Sequence, residues 1–374
     1  MAGIYIHIPF CRHKCLYCDF YSVASQSGRM KIVDSIVAEI GYQQKQLAGS
    51  VINSIYFGGG TPSTLSCEEL SKILFKLHDN FDIDTAAEIT LEANPEDLTP
   101  EYLSELRKLG INRLSVGIQS FLDEHLTYFG RKHTASEAIT AIDNARKAGF
   151  SNISADLIYG FPGLTVAQWK KNVETMVDLN VEHISAYQLM VEKGSVFFKL
   201  QQKGRFTPVS DDESAENYQY ITNCLRDKGY DHYELSNFCK PGFHSRHNSS
   251  YWFAEPYLGL GPSAHSFNGV SRQWNVSSIE KYCRAIEDGG NWWEMESLTE
   301  KDRYNELMLT RLRTKRGLLT NEIASLGTEQ QNRFYKQAKV LEINRLLVNI
   351  ETGWIIPEEK WLISDGIISD MMEI

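Results

Sequence analysis

Apolar and polar positions alternate in two different rhythms along the 374-residue chain. Between Gly3 and Gln188, short apolar runs take turns with longer stretches in which apolar residues recur every three or four positions. The short runs (4–8, 52–57, 87–91, 113–118, 154–158 and 183–188) read as strands. The longer ones (32–46, 67–78, 100–109, 135–148 and 166–178) read as helices with one buried face, as Asp34-Ser35-Ile36-Val37-Ala38-Glu39-Ile40 illustrates. Gly110 and Gly149 follow two of these stretches, where a left-handed residue ends a helix. Six such β–α units predict a parallel sheet covered by helices.

After about residue 204 the rhythm changes. Residues 211–228 read as a polar-faced helix, 230–236 as an alternating strand, and 237–267 as a long loop rich in aromatic, Gly and His residues. From Leu298 the chain is mainly helical, with a small hairpin over 346–356 turning near Gly353. The expected organisation is therefore an α/β protein in three parts: a partial barrel over 1–205, an α+β extension over 206–297, and a mainly helical, winged-helix-like end over 298–374. The mixed charge of that last part suits packing or partner binding better than DNA reading.

A doubly wound sheet and an incomplete barrel share this β–α pattern, and the polar residues decide between them. Cysteines follow the first strand, a glycine run the second, and Glu92 and Asn94 the third. Gln119 follows the fourth, Asp156 lies in the fifth, and Tyr187 and Gln188 end the sixth. Chemistry gathered at the C-terminal ends of many strands is how a barrel builds a site.

Composition adds exclusions. Hydrophobic content of 42% and charged content of 23% are ordinary for a globular protein. A net charge of -10 disfavours a dedicated nucleic-acid binder, including an enzyme acting on RNA. Met1 and Ala2 run straight into the first strand, and no apolar run approaches the roughly 18 residues that span a bilayer, so the expected location is the cytoplasm. Seven cysteines in a reducing compartment then divide into a group of three and four that read as small buried hydrophobes: Cys67, Cys224, Cys239 and Cys283.

The group of three is Cys11, Cys15 and Cys18, spaced C-x3-C-x2-C directly after the first strand, which Pro9 ends. Thiolates packed so closely suit a metal or an iron–sulfur cluster better than a disulfide. Three cysteines on a four-iron cluster leave one iron open to a small molecule. A zinc site completed by His7, His13 or a ligand elsewhere in the chain is the alternative. Phe57-Gly58-Gly59-Gly60-Thr61-Pro62-Ser63 lets backbone approach a ligand closely. Glu92 offers a carboxylate that can accept two hydrogen bonds from a ribose diol. Gln119, Arg131 and Asp156 complete a polar ring at the same rim.

Over nearly its whole length the sequence resembles the coproporphyrinogen III dehydrogenase (HemN)-like branch of radical S-adenosylmethionine (SAM) proteins. The resemblance lies in Tyr5-Ile6-His7-Ile8-Pro9-Phe10-Cys11, Gly58-Gly59-Gly60-Thr61-Pro62, Glu92-Ala93-Asn94-Pro95, Gly117-Ile118-Gln119-Ser120, Asp156-Leu157-Ile158-Tyr159-Gly160-Phe161-Pro162 and Gly259-Leu260-Gly261-Pro262-Ser263-Ala264-His265-Ser266. It implies a (β/α)6 partial barrel, a [4Fe–4S] cluster on Cys11, Cys15 and Cys18, and SAM contacts at Tyr5, Tyr17, Gly59, Gly60, Thr61, Glu92, Gln119, Arg131 and Asp156. It also implies that an electron enters SAM at the open iron.

Two departures point to one side of the branch. Phe20 stands where the dehydrogenase has a further cysteine, and two residues precede the first strand where the dehydrogenase has an extension. Both departures resemble the HemW-type haem chaperones, as does the H-N-x-x-Y motif at His247-Asn248-Ser249-Ser250-Tyr251. The expectation is a radical SAM protein with haem as cargo, His247 and Tyr251 as haem residues, haem-requiring acceptors such as membrane-associated respiratory proteins, and a flavodoxin or ferredoxin as reductant. Conversion of coproporphyrinogen III to protoporphyrinogen IX is the alternative.

Overall fold

Six parallel strands in sequence order form the centre of one sheet in a computed structural model, which describes residues 1–373. They are β1 (Ala2–Ile8), β2 (Ile52–Gly59), β3 (Ile83–Ala93), β4 (Arg113–Gln119), β5 (Ile153–Tyr159) and β6 (His183–Gln188). Their outer faces pack on α1 (Arg29–Gln43), α2 (Cys67–Asn80), α3 (Pro100–Lys108), α5 (Ala135–Lys147) and α6 (Val166–Asp178), whereas α4 (Asp123–Phe129) sets Phe129 in a separate cluster with Ile158 and Phe161. Ser66, Thr134 and Thr165 each accept the amide of the third helical residue, whose own side chain returns the bond. Caps of this kind contribute about 1 kcal/mol each and fix where the chain turns back into a helix. Gly110 and Gly149 do adopt positive φ, +86° and +90°.

The strands are two-faced. On one face Ile4, Ile6, Ile8, Ile55, Phe57, Leu91, Leu114, Val116, Leu157 and Ile184 lie fully buried under the helices. On the other, Gly3, Tyr5 and His7 of β1 continue into Ser54, Tyr56 and Gly58 of β2, and then into Glu88, Thr90 and Glu92 of β3. Arg113 and Ser115 of β4, Ser154 and Asp156 of β5, and His183 and Ser185 of β6 complete that face. Side chains from strands far apart in the order reach one another there: Glu92, Asp156 and Tyr187 lie close enough to repel. The sheet is thus curled around a polar lumen, as a period-2 strand requires when both faces are covered.

After α7 (Val196–Gln202) and α8 (Asp211–Asp227), the middle of the chain lengthens this sheet at both edges rather than folding apart. β7 (Asp231–Glu234) and β8 (Asn237–Cys239) continue from β6, with β8 antiparallel to it. Beyond α9 (Arg246–Trp252), β9 (Tyr257–Leu260) runs parallel to β1 and is followed by β10 (His265–Phe267) and β11 (Ser271–Asn275). α10 (Ile279–Glu287) and β12 (Trp293–Ser297) end this part. The segment expected as a loop over 237–267 therefore holds three strands and a helix. With three to seven residues apiece, these elements are too short for periodicity to register.

Glu39 of α1 ties this extension to the barrel. Its carboxylate accepts from Gly261 N (2.7 Å), Asn275 Nδ2 (2.7 Å), Trp292 Nε1 (2.9 Å) and Tyr282 Oη (2.5 Å). The last part contains α11 (Glu300–Arg311), β13 (Leu318–Leu319), α12 (Thr320–Ala324), α13 (Thr328–Ile343), β14 (Val348–Ile350), β15 (Gly353–Ile355) and α14 (Ser364–Met371). β14 and β15 form the expected hairpin, which turns at Glu351-Thr352 just before Gly353, and β13 pairs with its second strand. Of the four remaining cysteines, Cys239 and Cys283 are buried and Cys67 and Cys224 half-buried.

Candidate cofactor site

The cysteine loop is pinned at the C-terminal rim by backbone bonds on three sides. Cys11 N donates to Val23 O (3.0 Å), Leu16 N to Phe129 O (3.0 Å), and the amides of Val196 and Phe197 to Leu16 O. All three thiols are free. Polar donors already aim at two of them: Thr61 Oγ1 lies 3.5 Å from Cys11 Sγ, and Arg131 Nη1 lies 3.5 Å from Cys15 Sγ. Burial chiefly pushes the Cys18 thiol up to about 11. The glycine run closes over this loop. Gly60 N donates to Ile8 O, and a Cβ on Gly60 would sit 2.6 Å from Phe10 O. Gly59 has φ +105°, and a Cβ there would sit 2.7 Å from the His7 ring.

Three free thiols with donors at their sulfurs and backbone packed at glycine distance fit a thiolate-held cluster. The zinc alternative lacks a ready fourth ligand in His7. Both His7 nitrogens are engaged, with Tyr21 O (2.9 Å) and Tyr5 Oη (3.2 Å), while His13 is exposed.

The other rim residues meet around the same opening. Glu92 Oε1 accepts from Tyr56 Oη at 2.8 Å, and its carboxylate is also hydrogen-bonded by the Gly59 backbone. Burial chiefly pushes Glu92 up to about 7, against the Tyr56 bond and with help from the nearby Asp156 charge. Burial likewise raises Asp156 to about 6, although Ser185, Arg113 and Arg131 favour its charged form. Gln119 is buried with φ +71° at a bulge in β4, a strained conformation that turns its side chain at the strand end. Arg131 turns into the rim, where its Nη2 donates to Asn94 Oδ1 (2.8 Å) and Gly117 O (2.5 Å). Tyr17 packs edge-on against Phe129 with centroids 5.6 Å apart.

His247 lies elsewhere, inside the lumen at the opposite, N-terminal end of the strands. Helix α9 plugs that end, held by Glu88, whose carboxylate accepts the amides of Arg246 and His247. The ring of His247 is 1% exposed. Its Nδ1 meets Ser54 Oγ at 3.0 Å and its Nε2 meets Tyr251 Oη at 2.9 Å. Burial holds its pKa down at about 3, so the imidazole is neutral. The ring stacks on Tyr56 (5.0 Å, 22°) and on Tyr5 (6.2 Å, 23°). Tyr5 thus faces the lumen between the rim and this plug.

Ser54, Tyr56, Glu88 and Arg113 are functional candidates that a search of strand ends misses. Their signal in the sequence is the strict alternation of polar and apolar residues inside each strand, which marks a polar interior and not only a polar rim.

A curled six-stranded parallel sheet, three free cysteines at its C-terminal rim and a glycine run closing over them define the radical SAM class of protein. The model of the Radical SAM superfamily matches residues 5–176, and that class implies a [4Fe–4S] cluster and SAM. The chain is 36% identical to "Heme chaperone HemW" of Lactococcus lactis, over 85% of this chain and 83% of the relative. It is 34% identical to the Bacillus subtilis protein of the same name, over 98% of each. The chain belongs to the HemW family. The solved structure of coproporphyrinogen III oxidase (HemN) from Escherichia coli superposes with a TM-score of 0.84 over 99% of this chain and 89% of that one, at 22% identity, a likeness of fold.

Proposed function

We propose that the chain binds haem and delivers it to haem-requiring acceptor proteins, using a cluster on Cys11, Cys15 and Cys18 together with SAM. The observation that carries this reading is the Ser54–His247–Tyr251 chain: a neutral imidazole with its orientation fixed at Nδ1 and a lone pair at Nε2 in the tautomer protonated on Nδ1. A second partner on the far nitrogen is how proteins prepare a histidine for a metal, and imidazole is a common haem ligand. The names of the Lactococcus and Bacillus relatives, both haem chaperones, support the same reading.

When bound, the cluster and SAM supply one-electron chemistry. The chain's own residues hold and orient. Glu92 would accept hydrogen bonds from the ribose hydroxyls, the Gly59-Gly60-Thr61 backbone would meet the methionine amino group, Tyr17 would flank the adenine, and Gln119, Arg131 and Asp156 would line the remaining rim. Arg131 also places its guanidinium 3.5 Å from the Cys15 sulfur. A flavodoxin or ferredoxin is the reductant of this proposal, and membrane-associated respiratory proteins are among the acceptors. No helix among the described residues is long and apolar enough to cross a membrane, and the proposed location is the cytoplasm.

The test is a pair of assays on anaerobically reconstituted protein. Haem should bind with a Soret shift. Incubation with SAM, a reductant and coproporphyrinogen III should yield no protoporphyrinogen. Stoichiometric loss of the two propionate carboxyls would replace this function with the dehydrogenase.

A further inference from the structure

A cavity of about 360 Å³ opens on the outer side of helix α9, away from the cysteine rim. It lies between α9, the β10–β11 hairpin and α11, and Tyr251, Trp252, Tyr257, Phe267, Arg303 and Leu307 line it. Its size falls at the lower end for small-molecule sites. We propose that this groove seats the haem macrocycle, with Arg303 taking a propionate and Tyr251 standing as a gate between the macrocycle and His247. The inference rests on the haem reading above.

Three features of the groove select this occupant. The wall is aromatic and continuous: Tyr251 packs edge-on against Tyr257 with centroids 4.7 Å apart, and Tyr257 lies 6.3 Å from Phe267. Such a wall suits a flat π-system. The positive charge is arranged for an acidic edge. Arg272 is neutralised by Glu306 at 2.9 Å and Arg311 by Glu322 at 2.7 Å, but exposed Arg303 makes no ion pair among the described residues. A guanidinium in that position can grip a carboxylate bidentately. The third feature is the shared residue. Tyr251 lines the groove, yet its hydroxyl reaches inward to His247 Nε2 at 2.9 Å.

One side chain therefore separates the groove from the imidazole lone pair. Rotation of Tyr251 exchanges its O–H···Nε2 hydrogen bond for an Nε2–iron bond. The phenol keeps its proton and no electron moves. The groove is open to solvent along the Arg303 side, which suits a cargo that must leave again.

The experiment uses the full chain with its cluster reconstituted, titrated with haemin and with iron-free protoporphyrin IX. Soret absorbance and quenching of tryptophan emission report binding. Arg303→Glu should weaken both ligands about tenfold or more, the loss expected for one charged hydrogen bond, and Arg303→Lys should restore part of it. Leu307→Trp, which fills the groove, should weaken both as well, with the iron–sulfur absorbance unchanged. His247→Ala should weaken haemin far more than protoporphyrin. Lys76→Glu, in a separate surface cavity, should change neither. If Arg303→Glu and Leu307→Trp bind haemin as the wild type does while His247→Ala does not, the groove is not the seat and the haem reading stands. A wild-type chain that binds no haemin overturns both.

Discussion

Glu92→Gln separates a cofactor ligand from a packed lumen residue, because the change keeps shape and alters only charge. The Tyr56 hydroxyl can still donate to the amide oxygen, so the lumen should stay packed. What is lost is a carboxylate for the ribose diol, a charged interaction worth about 1–3 kcal/mol. At pH 8 the variant should therefore bind SAM roughly 5- to 150-fold more weakly. The carboxylate of the free protein titrates near 7, raised chiefly by burial. If only the ionised form accepts the diol, wild-type protein must lose a proton before it binds in acid, and its affinity should fall about tenfold between pH 8 and pH 6. Glutamine has no such proton. The ratio of the two dissociation constants should then shrink about tenfold over the same interval, and taking that ratio cancels the titration of SAM's own amino group. Equilibrium titration of cluster-loaded protein at both values measures it. A ratio that is constant with pH, or equal to one at pH 8, would return Glu92 to a structural role.

Cys11→Ala, Cys15→Ala or Cys18→Ala should each abolish a stable cluster of about four irons per chain, while alanine at Cys67, Cys224, Cys239 or Cys283 should leave iron content unchanged. Equal dependence on Cys239 and Cys15 would refute the three-ligand loop. His247→Ala should shift the haem Soret band and lower haem affinity without altering the iron–sulfur absorbance, whereas His265→Ala, an exposed residue outside the lumen, should keep the wild-type haem spectrum. The cofactor-free chain should melt at a lower temperature at pH 8.5 than at pH 6.5. Glu39, Glu92 and Glu234 are raised to about 7 and Asp156 to about 6, chiefly by burial, so their stabilising contribution is present at low pH and lost as pH rises through those values. The buried histidines, held below their ordinary value near 6.5, act in the opposite sense and offset part of this loss at the low-pH end of the window, and a melting temperature that rises across the window would contradict the sign.

The β–α units were legible because most of their helices carry a side-chain cap and a buried stripe, and each strand is long enough to repeat. The rim was legible for a related reason: residues at strand ends fall outside the apolar run, so cysteine, glycine and glutamate stand out there. The lumen and its plug were harder. Tyr56, Glu88 and Arg113 sit within strands, where a polar residue reads as an interruption until the alternation is taken across all six. The role of α9 was hidden by length. Seven residues at 246–252 cannot show a helical stripe, and only tertiary contacts place His247 beside Ser54 and Glu88, 193 and 159 positions earlier.

Those contacts also bear on how the two ends of the barrel relate. Tyr56 belongs to both: its hydroxyl donates to Glu92 at the C-terminal rim, and its ring stacks on His247 at the plug. Tyr5 lies against the same two rings and bonds His7, whose other nitrogen holds the carbonyl of Tyr21 beyond the cysteine loop. A close-packed interior transmits displacement because its side chains have no free volume to absorb it. The cofactor rim and the histidine are therefore parts of one packed column, not two sites on one scaffold. A substitution at Tyr56 or Tyr5 acts on both ends at once, and its effect on haem cannot be assigned without a SAM titration of the same variant.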